Sequence, residues 1–282
     1  MHRYFIMIFL IAHTISYSQD SVLQAELDYA LIPASNQRVS AQQVEAALKV
    51  PLDFGTVQLQ PTIGLRNYDF EFWESMTFNT HPVDNVNNFF AGVDATHSLG
   101  EQWQLDAWGE ASWASGINAD ETVLTGAAAL QYILKSFPAH LRLGVQYDTP
   151  LGDRELLPLV ELAVSTHQFY LQLGFPESRI SYALSESSTL STHFDFEGDY
   201  FYVPQTVDFA AQTANQVGIA RQKLALDYAY TIDSTWSFSL SVGYLFQNEL
   251  KFYDSAQHTV NTLNMGAGPV FSTGIKFNFS KQ

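Results

Sequence analysis

The sequence predicts an all-β protein, specifically a transmembrane antiparallel up-and-down β-barrel of about fourteen strands, with twelve as the alternative count. Two observations lead to this prediction. Apolar and polar residues alternate along most of the chain. The connections between these segments are alternately short and long. In addition, the segment after the N-terminus contains no apolar run long enough for a transmembrane helix. A membrane form of this chain must therefore close on itself, because lipid offers no hydrogen-bond partners to free backbone groups.

The N-terminus has the pattern of a secretory signal peptide. A basic start precedes an apolar run over 5–12, and the small residues Ser16 and Ser18 follow it. The run is too short for an anchor helix, which needs about 20 apolar residues. We therefore predict a signal peptide over 1–18 and a single barrel domain over 19–282.

Composition excludes several classes of function. The chain has no cysteine, which rules out disulfides and a lipid-bearing cysteine. It carries 29 acidic residues against 13 Lys and Arg, for a formal net charge of −16. This balance argues against nucleic acid as a partner, since phosphate binding requires basic patches. It suits an acidic lumen or acidic loops that attract cations.

The alternating segments define fourteen predicted strands. They cover 22–31, 43–54, 56–67, 89–99, 102–114, 122–135, 140–148, 158–165, 168–175, 179–185, 189–198, 216–231, 235–246 and 269–279. The long connections among them are 32–42, 68–88, 115–121, 149–157, 199–215 and 247–268, and only Pro176–Ser178 interrupts the short–long order. This order is typical of an outer-membrane barrel with periplasmic turns and external loops. A β-sandwich gives no reason for it.

The two faces of the predicted strands differ in chemistry. One face is apolar and uncharged, as in Leu224, Leu226 and Tyr228. The other is rich in Gln, Ser, Thr, Gly and Ala with spaced charges, and the whole chain has only six lysines. A sheet face exposed to water usually carries more Lys and Glu. We therefore predict that the apolar face meets lipid. The alternative is a secreted soluble all-β binding domain that buries this face in a core.

Aromatic residues mark one rim of the predicted barrel. They sit just after short turns or at strand ends on the periplasmic side, where amphipathic rings form a girdle at the lipid interface. The predicted girdle comprises Phe54, Trp103, Phe169, Trp236, Phe277 and Phe279.

The last strand carries a family resemblance. GIKFNF alternates and ends in the aromatic Phe279, with Ser280–Gln282 after it. It resembles the C-terminal strand of Gram-negative outer-membrane β-barrel proteins, which acts as their assembly signal. The resemblance implies a porin-like protein of the outer membrane. Its implied partners are outer-membrane lipid and, through this strand, the barrel-assembly machinery.

The strand positions that alternate with the apolar ones place charged side chains toward the predicted lumen. The acidic ones are Glu26, Asp28, Glu45, Asp94, Asp106, Glu110, Asp148, Glu161 and Asp227, and the basic ones are Lys49, Arg66, Arg142 and Lys276. They predict a passive channel or a small-solute binding barrel with an acid-biased lumen that prefers cations, although the solute is not specified. The alternative is an internal salt-bridge network that fills the barrel.

No pattern predicts a metal, cofactor or catalytic site. His193, Asp195 and Glu197 share a strand face, but two-residue spacing is what any polar strand face provides. The alternative is an outer-membrane barrel hydrolase with a His–carboxylate pair, either His193 with Asp195 or His81 with Asp84. A catalytic triad is defined by geometry, which these spacings do not supply. We therefore predict a protein that is not an enzyme.

Overall fold

The computed structural model describes residues 23–35, 39–73, 76–114, 121–210 and 212–279. The predicted signal peptide and Ser280–Gln282 lie outside the described residues. The strands are β1 (Leu23–Ile32), β2 (Val39–Lys49), β3 (Leu52–Asp53), β4 (Val57–Phe72), β5 (Asn85–Ser98), β6 (Trp103–Trp113), β7 (Val123–Ile133), β8 (Ala139–Asp148), β9 (Glu155–Ser165), β10 (Phe169–Phe175), β11 (Glu177–Ala183), β12 (Ser188–Phe209), β13 (Gln212–Thr231), β14 (Trp236–Tyr253), β15 (Thr259–Asn264) and β16 (Gly268–Phe279). Helix α1 (His81–Asp84) lies between β4 and β5. Within the described ranges, no helix is long and apolar enough to cross a membrane.

Fourteen of these strands form one closed antiparallel barrel. Apart from the short strands β3 and β15, each strand pairs with its neighbours in chain order. The ring closes between β1 and β16, in a register that runs from Leu23 opposite Phe279 to Leu31 opposite Phe271. Strand β3 is added to β4, and β15 is added to β14. The predicted up-and-down barrel and its strand number are confirmed.

The two ends of the barrel have different connections. We call the end with the short connections the turn rim and the opposite end the loop rim. On the turn rim, Gly55 and Gly100 have φ of 81° and 130°, a backbone conformation that favours glycine. On the loop rim, β10 and β11 are joined through Pro176 alone.

The exterior of the barrel is apolar around the whole ring. Outward side chains that remain exposed include Leu27, Leu48, Ile63, Leu105, Leu130, Leu143, Leu162, Leu173, Ile180, Leu226, Leu240 and Ile275. A soluble monomer rarely exposes a contiguous apolar patch of more than a few hundred Å². A continuous belt of this kind is the surface that a barrel embedded in lipid presents. It disfavours the alternative of a soluble binding domain.

Strands β12, β13 and β14 continue beyond the barrel wall. Strand β12 pairs with β11 only as far as Asp195 opposite Glu177, but it pairs with β13 up to Phe209. In the extension of β13, Val217, Ile219 and Ala220 are all at most 2% exposed, so both faces of the strand are buried. A strand in a barrel wall keeps one face on the exterior. This part of the sheet therefore lies inside the barrel.

A hydrogen bond across the ring supports the same conclusion. The hydroxyl of Tyr68 on β4 donates to Asp199 Oδ2 on β12 at 2.7 Å, although these strands lie on nearly opposite sides of the ring. Fourteen strands spaced about 4.8 Å apart and tilted by about 40° enclose a ring about 28 Å across. Two side chains cannot bridge that distance, so the sheet must fold inward. We call the inward-folded residues 196–209, 212–222 and 247–253 the plug.

The plug encloses an apolar core at the loop rim. Its buried members include Ile32, Val39, Tyr68, Phe70, Val83, Val86, Phe201, Val217, Ile219, Leu250, Phe252 and Met265. The predicted strands ended at 198, began at 216 and ended at 246, so most of the predicted loop 199–215 is sheet. The structure extends each strand into the plug, because the inward side chains there pack against this core.

The other face of the plug packs against the loop between β8 and β9. A Cβ atom at Gly198 would overlap the carbonyl oxygen of Thr149, and one at Gly218 would overlap that of Gly152. The hydroxyl of Tyr253 donates to the carbonyl oxygen of Gly152 at 2.9 Å. The plug and this loop are therefore packed together at the loop rim.

Candidate functional site: the lumenal cavity

A polar cavity of about 710 Å³ lies between the plug and the barrel wall. From the wall it is lined by Asp28, Glu45, Arg66, Trp108, Glu110 and Asp148, and from the plug by Glu197, Asp199 and Arg221, with Lys223 beside them on β13. The wall side chains point into the cavity because they share the inward phase of their strands. The cavity is the candidate functional site.

Arg66 organises the wall side of the cavity. Its Nε lies 3.0 Å from Glu45 Oε2, and its two terminal nitrogens lie 2.7 and 3.0 Å from the carboxylate oxygens of Glu110. The guanidinium also stacks over Phe90, 4.1 Å from the ring centroid. Bidentate geometry of this kind fixes an arginine more firmly than a single contact. Arg66 thus holds two of the wall carboxylates in place and offsets one of their two negative charges.

The remaining wall carboxylates differ in pairing: Glu26 is paired, whereas Asp28 and Asp148 form no ion pair with a described residue. Glu26 pairs with Lys49 at 2.5 Å and with Lys276 at 3.2 Å. In contrast, Asp28 and Asp148 form no ion pair with any described residue, and Asp148 accepts a hydrogen bond only from the following backbone N–H, at 2.8 Å. Asp28 and Asp148 are therefore the wall carboxylates that are free to meet a cationic group.

Asp199 attaches the plug to the opposite wall. Besides the Tyr68 hydroxyl, its Oδ2 accepts a hydrogen bond from Asn88 Nδ2 at 3.2 Å. Its Oδ1 accepts from the backbone N–H of Tyr200 at 2.7 Å. Asp199 is only 9% exposed, so these donors replace the water it lost on burial.

Arg221 has one neutral partner on the wall and one within the plug. It donates from Nη1 to Gln43 Oε1 on β2 at 2.9 Å and from Nε to Asn248 Oδ1 in the plug at 3.4 Å. Its side chain is only 5% exposed, and its remaining terminal nitrogen has no hydrogen-bond partner among the described residues. Lys223, two residues along β13, instead forms an ion pair with Glu197.

A second group of charges lies nearer the turn rim. Arg142 contacts Asp106 at 3.6 Å and Glu161 at 3.4 Å, and Glu161 also contacts His140 Nε2 at 2.9 Å. These side chains come from β6, β8 and β9 and bridge adjacent strands across the inner wall. Their mutual pairing leaves little net charge on this part of the lumen.

His193 is held between two carboxylates. Its Nδ1 lies 2.6 Å from Asp227 Oδ2 and its Nε2 lies 3.4 Å from Asp195 Oδ2. Each ring nitrogen of His193 thus faces a carboxylate of the inner wall. His81 and Asp84 lie at the two ends of α1. Across the described ranges, no three His, Asp or Glu side chains are arranged to hold a metal ion.

The predicted lumen charges occupy three kinds of position. Seven of the thirteen line the cavity, namely Glu26, Asp28, Glu45, Lys49, Arg66, Glu110 and Asp148. Five others form ion pairs outside the cavity lining, namely Asp106, Arg142, Glu161, Asp227 and Lys276. Asp94 lies opposite Trp108 in the β5–β6 register and is not in the cavity lining. The role of these charges in selecting a solute remains a prediction.

Sequence reasoning missed the plug side of the cavity. Arg221 and Lys223 lie at even spacing from the predicted inward residue Asp227, and Glu197 and Asp199 continue the phase of Asp195. Following the inward phase from Asp227 back to Lys223 and Arg221, and from Asp195 on to Glu197 and Asp199, would have identified all four, of which only Asp199 lies beyond a predicted strand.

The predicted aromatic girdle lies close to the turn rim. Trp103, Phe169 and Trp236 are the first residues of β6, β10 and β14. Phe277 stacks against Trp236, with ring centroids 4.4 Å apart. Phe54 follows β3 outside the strands and is 62% exposed. Phe279 ends β16 and packs on Phe277, again with ring centroids 4.4 Å apart. Contact of these rings with the lipid interface remains a prediction.

Replacing Tyr68 with Phe should loosen the plug. The change leaves the buried Asp199 carboxylate with one donor fewer, which costs about 1–2 kcal/mol. We expect faster amide hydrogen exchange in residues 212–222 with no loss of the barrel. Tyr29→Phe is the matched control, because the exposed Tyr29 hydroxyl bonds only to Gln42 Oε1, at 3.1 Å. Equal exchange in both variants would show that the Asp199 contact does not hold the plug.

Comparison with solved structures identifies similar barrels at very low sequence identity. An outer-membrane channel from Pseudomonas putida F1 aligns with a TM-score of 0.50 and 6% identity, covering 93% of this chain and 96% of that one. A FadL homologue from Pseudomonas aeruginosa gives 0.44 and 10%, covering 93% and 91% of the two chains. The NanC porin gives 0.41 and 9%, covering 90% and 98%. No protein-family model matches the chain, and no curated protein is similar to it in sequence. At this identity, the likeness to the Pseudomonas putida channel shows a shared fold.

Proposed function

We propose that this chain is an outer-membrane channel or binding barrel for small polar solutes, and that it prefers cations. The observation that carries the proposal is a closed barrel with an apolar exterior around a polar cavity of about 710 Å³. Sites for small ligands typically measure about 300–1,000 Å³. In this proposal, the signal peptide directs export, and the C-terminal strand is read by the barrel-assembly machinery.

The charge of the cavity supports a preference for cations. Seven carboxylates line it, namely Glu26, Asp28, Glu45, Glu110, Asp148, Glu197 and Asp199. Four cationic side chains line it, namely Lys49, Arg66, Arg221 and Lys223. An excess of one sign in a confined, low-dielectric space concentrates ions of the opposite sign.

The position of the plug supports gated passage. In this proposal, the plug and the β8–β9 loop, which pack together at the loop rim, obstruct the way to the cavity, so a solute crosses after the plug moves. Several contacts between plug and wall are polar, as at Asp199 and Arg221, and these hydrogen bonds can be exchanged for water at little net cost. The apolar contacts between plug and wall oppose this movement and hold the plug in its docked position.

Ion selectivity in planar bilayers tests the proposed function. In a KCl gradient, we expect the reversal potential of the wild-type barrel to favour K⁺ over Cl⁻. Replacing Asp28 and Asp148 with Asn removes the two unpaired wall carboxylates and should reduce that preference. The control is Asp233→Asn, in the turn between β13 and β14. A wild-type preference for Cl⁻, or the absence of any conductance or solute binding, would refute the proposal.

A further inference from the structure

The barrel wall is low at β10 and β11. Each of these strands has seven residues, whereas every other strand of the ring has at least ten. At about 3.3 Å per residue and a tilt of about 40°, seven residues rise about 18 Å. The apolar band of an outer-membrane barrel is about 25 Å tall. The β10–β11 hairpin therefore ends within the depth of the lipid.

The strands on either side of this hairpin lose their partners above it. Strand β10 pairs with β9 only as far as Phe175 opposite Val160, although β9 continues to Glu155. Strand β12 has no β11 partner beyond Asp195. We call this break in the strand pairing, between residues 155–159 of β9 and 196–198 of β12 with Pro176 at its base, the wall gap. The β8–β9 loop packs on the plug above it, so the break lies in the side of the barrel.

The wall gap is continuous with the polar cavity. Pro176, Phe196 and Gly198 border the gap and also line the cavity. The border is apolar in other places too. Leu159 faces inward and is only 5% exposed, and the Phe175 and Phe196 rings lie 5.3 Å apart. The wall gap therefore has an apolar border on its outer side and adjoins a space lined by carboxylates.

This combination fits a ligand that has one apolar and one charged part. We propose that the wall gap gives lateral access from the membrane to a single-chain amphiphile with a cationic head. The head occupies the cavity near Asp148, and the alkyl chain passes through the gap into the lipid. The choice of head group rests on the proposed cation preference of the cavity, whereas the gap itself does not.

Cysteine labelling tests whether the gap is open. The chain has no cysteine, so each variant reports one position in lipid nanodiscs. Leu157→Cys lies on the inward phase beside the gap, and Ala127→Cys is inward on β7, between the full-length strands β6 and β8. Leu173→Cys is outward on β10. We expect a bilayer-confined decyl maleimide to label Leu157→Cys and Leu173→Cys at rates within about tenfold of each other, and Ala127→Cys far more slowly.

If Leu157→Cys is as unreactive as Ala127→Cys, the wall is closed and the inference is overturned. The proposed function would survive that result, because it depends on the cavity and the ion selectivity.

Protection by a ligand tests the head group. We expect decyltrimethylammonium to slow labelling of Leu157→Cys by about tenfold or more, and decyl sulfate to have little effect. Adding Asp148→Asn should weaken protection by decyltrimethylammonium, measured relative to the labelling rate of the same double variant without ligand. If decyl sulfate protects equally well, the inference that the head group is cationic is overturned. The gap would then admit amphiphiles of another class. Migration of unboiled samples on a semi-native gel verifies that each variant is folded.

Discussion

Arginine in place of Leu226 should prevent stable assembly of the barrel. Leu226 lies on the outward face of β13, opposite Thr192 and Val242, and is 52% exposed. An arginine near the middle of the lipid face of a barrel costs about 2–4 kcal/mol. We expect a matching fall in the free energy of unfolding, measured by urea titration in lipid vesicles. We also expect less heat-modifiable protein on semi-native gels.

The neighbouring residue provides the control, because Asp227 points inward. Asp227→Asn retains an oxygen acceptor for His193. It loses the ion pair in which Arg179 Nη1 lies 3.5 Å from Asp227 Oδ2. We expect a cost of about 1 kcal/mol, because the site is partly hydrated. If both substitutions cost the same, the assignment of lipid and lumen faces would be wrong.

Valine in place of Gly218 should displace the plug and leave the barrel intact. A Cβ at Gly218 would overlap the carbonyl oxygen of Gly152, so the plug and the β8–β9 loop cannot both keep their positions. Overpacking of this kind costs about 1–3 kcal/mol, which shifts the docked population by about 5- to 150-fold. We expect a comparable rise in the open probability of single channels. Gly109→Val is the matched control, since the nearest atom to a Cβ there is 3.8 Å away.

A disulfide between plug and loop should have the opposite effect. A Cβ at Gly152 would lie 3.0 Å from that of Ala220, and disulfides need about 3.5–4.5 Å. Gly152 also has a φ of 79°, which favours glycine, so the loop must shift its backbone for the bond to form. With both positions changed to Cys, we expect almost no conductance under oxidising conditions. A reducing agent should restore the wild-type value. If the oxidised variant conducts as wild type does, solutes cross without movement of the plug.

The predicted strands were accurate where lipid lies on one side and polar lumen on the other. Strand β14 shows why the prediction stopped at the loop rim. Its outward residues up to Phe246 face lipid, and the alternation is clear. Beyond that point, Leu250 and Phe252 point into the core of the plug. Between Phe246 and these residues, the polar run Gln247–Glu249 interrupts the alternation, so the pattern that defined the strand is lost although the strand continues.

Sequence reasoning could place the wall side of the candidate site but not its contacts with the plug. Strand phase alone places Arg66 and Glu110 on the inner wall, where they meet. The contacts of the plug depend on the inward fold, which no local pattern encodes. Tyr68 and Asp199 are 131 residues apart in the chain, and Arg221 and Gln43 are 178 apart.

The closure of the ring between β1 and β16 governs how this chain can fold. Leu23 pairs with Phe279, a separation of 279 − 23 = 256 residues. Folding slows as contacts become more distant in sequence, because the entropy of a long loop is lost before the contact forms. No hairpin made earlier can complete the cylinder, and every one of them carries an uncovered apolar face and two open edges. The polypeptide must therefore be kept from aggregating until its last strand arrives.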